Sequence, residues 1–336
     1  MTTRKSIDRR KFVKMSATIA VASGAAVIMM GTGIQPDVID TDRQFPKNEP
    51  GEDTRDVFKK CGACSHTMFY ILNREFGHPM LQEEYASDPL AGGLMLGHQC
   101  GMLWGSALAA GAESFRRNSD MNQAIASSVI TTRHIMKSFS ARAGSLNCRD
   151  ITGINMKSKL SIARMMVKIL LQGGMKNSTC FRLADKWAPE AIQSATAGLS
   201  SLPADVPRPC LNCASEVVRR KGGSNEEMVM VSGFAGGMGL AGFACGALGA
   251  AIWMDTLAWC RKNPGKSAFE YGRESSSKIM AVFNNTTGKK ILCEKITGKS
   301  FTSIRDHSDF ISGGGCEKII DALSGTSGMT GTSQPQ

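Results

Sequence analysis

The sequence predicts an all-α protein built from two tandem helical-bundle repeats with glycine-rich loops. Ten of its eleven cysteines fall into two matching sets of five, which indicates an internal duplication. No stretch alternates apolar and polar residues as a half-buried strand does, so we expect almost no sheet. Apolar residues recur at helical spacing instead, as at Met68, Ile71, Leu72 and Phe76.

The duplication is visible in the cysteine spacing. Cys100 and Cys148 are 48 residues apart, and so are Cys245 and Cys293. Both later cysteines open the phrase Cys-x-x-Ile-Thr-Gly. The matched pairs are Cys61 with Cys210, Cys64 with Cys213, Cys100 with Cys245, Cys148 with Cys293, and Cys180 with Cys316, which leaves Cys260 unmatched.

A glycine-rich run precedes the central cysteine of each repeat, at residues 91–100 and 235–245. Each glycine costs a helix about 1 kcal/mol relative to alanine, so these runs predict tight loops. The cysteine that ends each loop would lie at a helix N-terminus, where free N–H groups and the helix dipole favour a thiolate. The loop glycines are Gly92, Gly93, Gly97, Gly236, Gly237, Gly239 and Gly242.

Composition shifts divide the chain into segments. A basic and then apolar leader covers residues 1–35, a linker with three prolines covers 36–56, and the first repeat covers 57–196. A second proline-containing linker covers 197–209 and the second repeat 210–324. The tail, 325–336, is rich in Gly, Ser and Thr, a composition typical of disorder.

Helical periodicity, caps and glycine stops predict the longer helices. In the first repeat they are 65–76, 100–117, a helix capped by Asp120, 158–172 and 180–195, and in the second 213–221, 245–262, 267–284 and 316–324. Residues 90–112 and 229–254 are long and apolar enough to suggest membrane helices. Their glycine content, and His98 and Gln99 in the first of them, favour buried loops and core helices instead.

The leader resembles a twin-arginine export signal. Arg9 and Arg10 are followed by Phe12 and Lys14 and then by an uncharged segment, 15–30. This resemblance implies recognition by the twin-arginine translocase and a location in the periplasm or on the outer face of the cytoplasmic membrane. An uncleaved signal would remain as an anchor.

The net charge of +11 does not indicate a nucleic-acid partner. Residues 1–35 carry +5 of it, and the remaining +6 is spread over three hundred residues. No Lys/Arg cluster interleaved with aromatic residues is present, so we expect no DNA or RNA binding.

The order of cysteines and glycines resembles the C-GCAxxG-C-C family of redox-active proteins. In the second repeat Cys213 matches the first cysteine, residues 236–242 the glycine loop and Cys245-Gly-Ala-Leu the central motif. The family has a glycine five positions after its central cysteine. The first repeat keeps it as Gly105, whereas the second repeat has Ala250 there. The resemblance covers nearly all of residues 57–324 and implies redox work at four cysteines per repeat, without naming a substrate. Those cysteines are Cys64, Cys100, Cys148 and Cys180, and their counterparts Cys213, Cys245, Cys293 and Cys316.

Three kinds of chemistry suit such a set. Four thiolates can bind an iron–sulfur cluster or another metal in each repeat, and twin-arginine export favours an inserted centre. Dithiol–disulfide exchange is the second, since Cys61-Gly-Ala-Cys64 has the C-x-x-C form. Structural disulfides are the third. Cys61 and Cys210 lie outside the four-cysteine pattern and are auxiliary candidates.

Other sites are not supported. A covalent c-type haem needs C-x-x-C-H, and Ser65 and Ala214 occupy the histidine position. His66 and His98 have no histidine counterpart in the second repeat and suit ordinary loop or helix positions. The sequence therefore predicts an exported redox or electron-transfer protein that serves a membrane or periplasmic redox partner. A non-catalytic structural or partner-binding protein is the alternative.

Overall fold

The computed structural model describes residues 53–325, except 157, 172, 202, 204, 265 and 267. Over those residues the chain forms fifteen α-helices and no strand, so the all-α prediction is confirmed. The predicted export signal with Arg9 and Arg10, most of the first linker and nearly all of the tail lie outside the described residues. No helix in the described part combines the length and apolarity needed to cross a bilayer.

The helices follow the same order in the two copies. The first copy contains α1 (Thr54–Cys61), α2 (Cys64–Glu75), α3 (Leu81–Ala86), α4 (Gly101–Arg117), α5 (Met121–Ala143), α6 (Cys148–Thr152), α7 (Lys159–Leu171) and α8 (Thr179–Leu199). The second contains α9 (Cys213–Arg220), α10 (Asn225–Met230), α11 (Gly246–Lys262), α12 (Phe269–Thr287), α13 (Cys293–Thr297), α14 (Ile304–Ser312) and α15 (Glu317–Ser324). The short helices α1, α3, α6, α10, α13 and α14 were not predicted. Helix α1 begins inside the predicted linker 36–56, and α8 runs into the predicted linker 197–209.

Side-chain caps fix several helix ends. The Asp120 carboxylate accepts hydrogen bonds from the N–H groups of Asn122 at 2.8 Å and Gln123 at 3.1 Å, as the sequence predicted. Helix α10 begins with a reciprocal capping box between Ser224 and Glu227. Such caps satisfy N–H groups that have no partner inside the helix.

A backbone bridge explains the 48-residue interval. In the first copy the Cys100 N–H donates to the Leu146 carbonyl at 2.8 Å, and the Cys148 N–H donates to the His98 carbonyl at 2.7 Å. The equivalent bonds of the second copy join Cys245 to Ile291 at 2.9 Å and Cys293 to Phe243 at 2.5 Å. The interval between the two cysteines is therefore the length of chain needed to leave this bridge and return to it.

The two copies share one hydrophobic core. Helix α3 of the first copy packs against α11 of the second, and α10 of the second packs against α4 of the first. The copies therefore contact each other reciprocally, through equivalent pairs of helices. At the contact the Trp104 ring meets Phe234 edge-on, with centroids 4.6 Å apart. The Gln99 side chain also accepts a hydrogen bond from the Ala244 N–H at 3.2 Å, which links the two bridges directly.

Candidate functional site

Every cysteine of the four-cysteine pattern lies at the start of a helix. Cys64, Cys148, Cys213 and Cys293 are the first residues of α2, α6, α9 and α13, Cys100, Cys245 and Cys316 precede α4, α11 and α15, and Cys180 is the second residue of α8. Helix N-termini carry unsatisfied N–H groups and partial positive charge, which stabilise thiolates. The predicted helices already began at Cys100, Cys180, Cys213, Cys245 and Cys316, and one began at residue 65, next to Cys64, whereas α6 and α13, which begin at Cys148 and Cys293, were not predicted.

The glycine-rich loops have a left-handed backbone. Residues 92–95 all have positive φ, as do residues 236–240. Side chains at such angles are strained, and Leu94 and Met95 adopt them in the first copy. A Cβ on Gly93 would lie 2.3 Å from the His98 carbonyl oxygen, and one on Gly237 would lie 2.5 Å from the Phe243 nitrogen. The runs are glycine-rich because the chain crosses itself closely there.

These loops direct backbone N–H groups at the first cysteine of each copy. The Gly92 N–H donates to the Cys64 thiol, and the Gly236 N–H donates to the Cys213 thiol. The remaining predicted loop glycines support this turn. Gly97 packs on Arg149, Gly242 on Glu294 and Gly239 on Arg133.

Cys64 and Cys100 form a hydrogen-bonded pair. The bond from Cys100 is the main reason that the pKa of Cys64 falls to about 7, against burial, which raises it. The N–H groups of Gly92 and Ser65 lower the pKa of Cys64 further. The same bond raises the pKa of the Cys100 thiol well above its ordinary value, and burial adds to this. At pH 7, Cys64 is thus about half thiolate, and Cys100 is the thiol that donates to it.

Gly101 makes this pairing possible. A Cβ at position 101 would lie only 2.5 Å from the Cys64 sulfur and 2.8 Å from the Ala91 Cα atom. Because it is glycine, the start of α4 can approach the start of α2 closely enough for the two sulfurs to interact.

Cys148 and Cys180 lie near the pair but hold their protons. Burial raises the pKa of Cys148 to about 12, and the charge of Cys64 adds to the shift. The nearby Thr152 side chain partly opposes this rise in the pKa of Cys148. Burial also raises the pKa of Cys180, with further contributions from Cys64 and Cys148. The structure therefore brings the four first-copy cysteines within electrostatic range of one another.

The second copy places its four cysteines at the equivalent helix starts, but the pKa values of their thiols differ from those of the first copy. Burial raises the pKa of Cys213, although the N–H groups of Gly236 and Ala247 oppose it. Burial raises the pKa of Cys245 to about 12, and the charge of Cys213 contributes. Burial likewise raises the pKa values of Cys293 and Cys316, and the charges of Cys213 and Cys245 raise them further. All four second-copy thiols thus favour the protonated form at neutral pH.

The placement of the cysteines can be compared with what a metal centre or structural disulfides would need. All eleven lie within the described residues, and all are free thiols. Among those residues no group of three or more His, Cys, Asp or Glu side chains has the geometry to hold a metal ion. As placed in the described part of the chain, the thiols do not form the ligand arrangement of an iron–sulfur cluster or a single metal ion.

The auxiliary cysteines have unequal surroundings. Cys61, half-buried at the end of α1, hydrogen-bonds to His66. The Nδ1 atom of His66 lies 3.0 Å from the Asp88 carboxylate. Cys210 is buried before α9, and its N–H donates to the Asn122 side chain at 2.8 Å. The sequence treated His66 as an ordinary residue and gave no signal for Asp88, because the bond joins residues 22 positions apart.

The geometry and the sequence point to the same class of protein, an all-α protein with duplicated thiol sites. The family model "Putative redox-active protein (C_GCAxxG_C_C)" matches residues 63–188 and again residues 210–326. The chain belongs to this family and contains two copies of its domain. It matches no curated protein and no solved structure.

Proposed function

We propose that the protein is a dithiol–disulfide oxidoreductase whose working pair is Cys64 and Cys100 of the first copy. The hydrogen bond between the two thiols carries this proposal, because it gives one sulfur nucleophilic character and supplies the second sulfur that closes a disulfide.

The exchange has two balanced steps. The Cys64 thiolate attacks one sulfur of a partner disulfide, so that a Cys64–partner S–S bond forms and the partner's own S–S bond breaks. Cys100 then attacks Cys64, its proton goes to the departing partner sulfur, and a Cys64–Cys100 disulfide forms. The chain loses two electrons and the partner disulfide gains them. The reverse sequence oxidises a partner dithiol, and the relative reduction potentials decide the direction.

The remaining cysteines support this pair without competing with it. The raised pKa values of Cys148 and Cys180 keep both protonated, so neither is a strong nucleophile at neutral pH. By the same reasoning the second copy is the less reactive one. The twin-arginine resemblance extends the proposal to an exported protein whose redox partner lies in the periplasm or the membrane.

Trapping experiments test the proposal. The full chain is purified without oxygen, reduced, mixed with a small disulfide substrate and quenched with acid, and its disulfides are mapped by mass spectrometry. We expect a Cys64–Cys100 disulfide in the native protein and a Cys64 mixed disulfide in the Cys100→Ser variant. The matched variant Cys245→Ser should still form the first-copy disulfide.

Metal and sulfide assays on the same preparation separate the competing functions. Iron with acid-labile sulfide bound in stoichiometric amount would replace exchange by a cluster-based function, and stoichiometric zinc would indicate a structural centre. Metal-free protein whose thiols do not react with the disulfide substrate would leave the structural or partner-binding function.

A further inference from the structure

The first copy contains a second thiol site outside the four-cysteine pattern. His66 is hydrogen-bonded to Cys61 and, through Nδ1 at 3.0 Å, to Asp88. His66 is 3% exposed and Asp88 5% exposed, whereas Cys61 is only half-buried. A buried carboxylate thus orients an imidazole beside the thiol of a half-buried cysteine. Nucleophilic cysteines are commonly activated by this order of groups.

The protonation of His66 agrees with its position between Cys61 and Asp88. Burial opposes protonation of His66, but the charges of Cys61 and Asp88 and the hydrogen bonds to both outweigh it and raise the pKa of His66 well above its ordinary value. The Tyr85 and His66 rings also pack in a T-shaped arrangement, with centroids 4.7 Å apart. The proton that His66 holds is therefore available beside the Cys61 sulfur.

The second copy supplies a natural comparison. Ser215 and Ser232 occupy the positions equivalent to His66 and Asp88, and their hydroxyl oxygens lie 2.9 Å apart. Cys210 occupies the position equivalent to Cys61 and has no histidine at the matching position. Core packing does not require an acid–base pair at this place in the fold, because two serines fill it in the other copy.

We propose that Cys61, His66 and Asp88 form a peroxidatic site, in which Cys61 reduces hydroperoxides with His66 as the proton donor. The leaving group favours a hydroperoxide over a disulfide as the substrate of this site. A disulfide releases a thiolate, whose conjugate acid has a pKa of about 8.5, so exchange needs little help from an acid. A hydroperoxide releases an alkoxide or hydroxide, and water has a pKa of about 15.7, so a positioned acid makes a large difference.

Acyl transfer is less suited to this position. It needs N–H groups aimed at a developing oxyanion. Cys61 is the last residue of α1, and helix C-termini present carbonyl groups there.

The reaction balances in atoms and electrons. The Cys61 thiolate attacks the terminal oxygen of ROOH, an S–O bond forms and the O–O bond breaks. Sulfur is oxidised by two electrons to the sulfenic acid, the peroxide is reduced, and RO⁻ takes the His66 proton to leave as ROH. Cys64, three residues along in the C-x-x-C motif, can then condense with the sulfenic acid to give a disulfide and water. A dithiol reductant restores both thiols.

The test uses the full reduced chain, cumene hydroperoxide and a sulfenic-acid-specific dimedone probe, with labelling of each cysteine quantified by mass spectrometry. We expect Cys61 to be labelled at least tenfold faster than Cys210. The double variant His66→Ser with Asp88→Ser recreates the second-copy pair and should reduce Cys61 labelling at least tenfold, since positioned acids contribute about 10²–10⁴-fold. Equal labelling of Cys61 and Cys210 in the native protein would overturn the proposal.

Two further variants keep the test decisive. Asp88→Asn preserves the shape of the buried side chain and should also slow Cys61 oxidation, with helix content checked by circular dichroism. An unchanged Cys61 rate in a folded Asp88→Asn variant and in the double variant would refute the role of His66 and Asp88. Cys100→Ser removes the proposed exchange pair but should leave Cys61 oxidation intact, so the two proposals can fail separately. Reaction of Cys61 with a disulfide probe but not with hydroperoxide would overturn the substrate assignment.

Discussion

The two copies place equivalent cysteines at equivalent helix starts, yet they create different thiol chemistry. In the first copy Cys100 hydrogen-bonds to Cys64, whose pKa falls to about 7. In the second, the N–H groups of Gly236 and Ala247 reach Cys213, but burial outweighs them and the pKa rises. Backbone N–H groups at a helix start therefore do not suffice here to produce a thiolate. The neighbouring thiol decides the outcome.

The difference follows from how closely the helices approach. In the first copy a Cβ on Gly101 would meet the Cys64 sulfur, whereas in the second a Cβ on the equivalent Gly246 would meet the Phe234 carbonyl oxygen at 2.0 Å. The nearest atom to this glycine is thus the Cys64 sulfur in the first copy and a backbone oxygen in the second. The two copies therefore share the same helix arrangement but differ in the atom that lies closest to this glycine.

The largest expected effect comes from removing the second thiol of the pair. Cys100→Ser should stop exchange at the mixed disulfide. Cys100→Ala, which unlike serine also removes the hydrogen-bond donor, should in addition raise the pKa of Cys64 and so lower the fraction of Cys64 thiolate at pH 7. Cys245→Ser, the matched change in the second copy, should leave exchange intact. Measured turnover with a disulfide substrate that falls equally in both variants would show that the copies do not differ as described.

A substitution at the helix contact should affect stability unequally. A Cβ on Gly105 would lie 1.9 Å from the Ser65 carbonyl oxygen, so Gly105→Ala should cost about 1–3 kcal/mol through overpacking. Ala250, its counterpart, is buried without such a conflict, and Ala250→Gly should cost about 1 kcal/mol through helix propensity. Urea unfolding measures both values. A smaller loss for Gly105→Ala than for Ala250→Gly would contradict the tighter packing of the first copy.

The sequence predicted the helices and loops that hold the cysteines better than it predicted which side chains interact in the site. Cysteine spacing identified the duplication, and the glycine runs predicted tight loops that end at Cys100 and Cys245. The 48-residue interval could be recognised but not explained, because the backbone bridge is a contact between distant residues. The pairing of His66 with Asp88 and of Cys64 with Cys100 depends on tertiary approach, which no local pattern encodes. Short helices such as α6 and α13 lack the length that periodicity needs.

The smallest expected effect concerns a feature that the copies share. The Thr152 hydroxyl donates to the Cys148 carbonyl at 2.7 Å, and the Thr297 hydroxyl donates to the Cys293 carbonyl at 2.9 Å. Thr152→Val and Thr297→Val should each lower the free energy of unfolding by about 0.5–1.5 kcal/mol. Thermal unfolding should give similar losses for the two variants. A loss confined to one copy would break the equivalence of the Cys-x-x-Ile-Thr-Gly turns.

The pH dependence of alkylation, resolved for each cysteine by mass spectrometry, tests the central claim most directly. Only the thiolate reacts, so the rate follows deprotonation of each sulfur. The Cys64 rate should rise with pH and reach half its maximum near pH 7, because the Cys100 hydrogen bond lowers the pKa of Cys64 to about 7. The Cys213 rate should still be rising above the ordinary thiol pKa of about 8.5, because burial raises the pKa of Cys213. Coincident profiles for Cys64 and Cys213, or a Cys64 midpoint that does not move in Cys100→Ala, would contradict this account of the two copies.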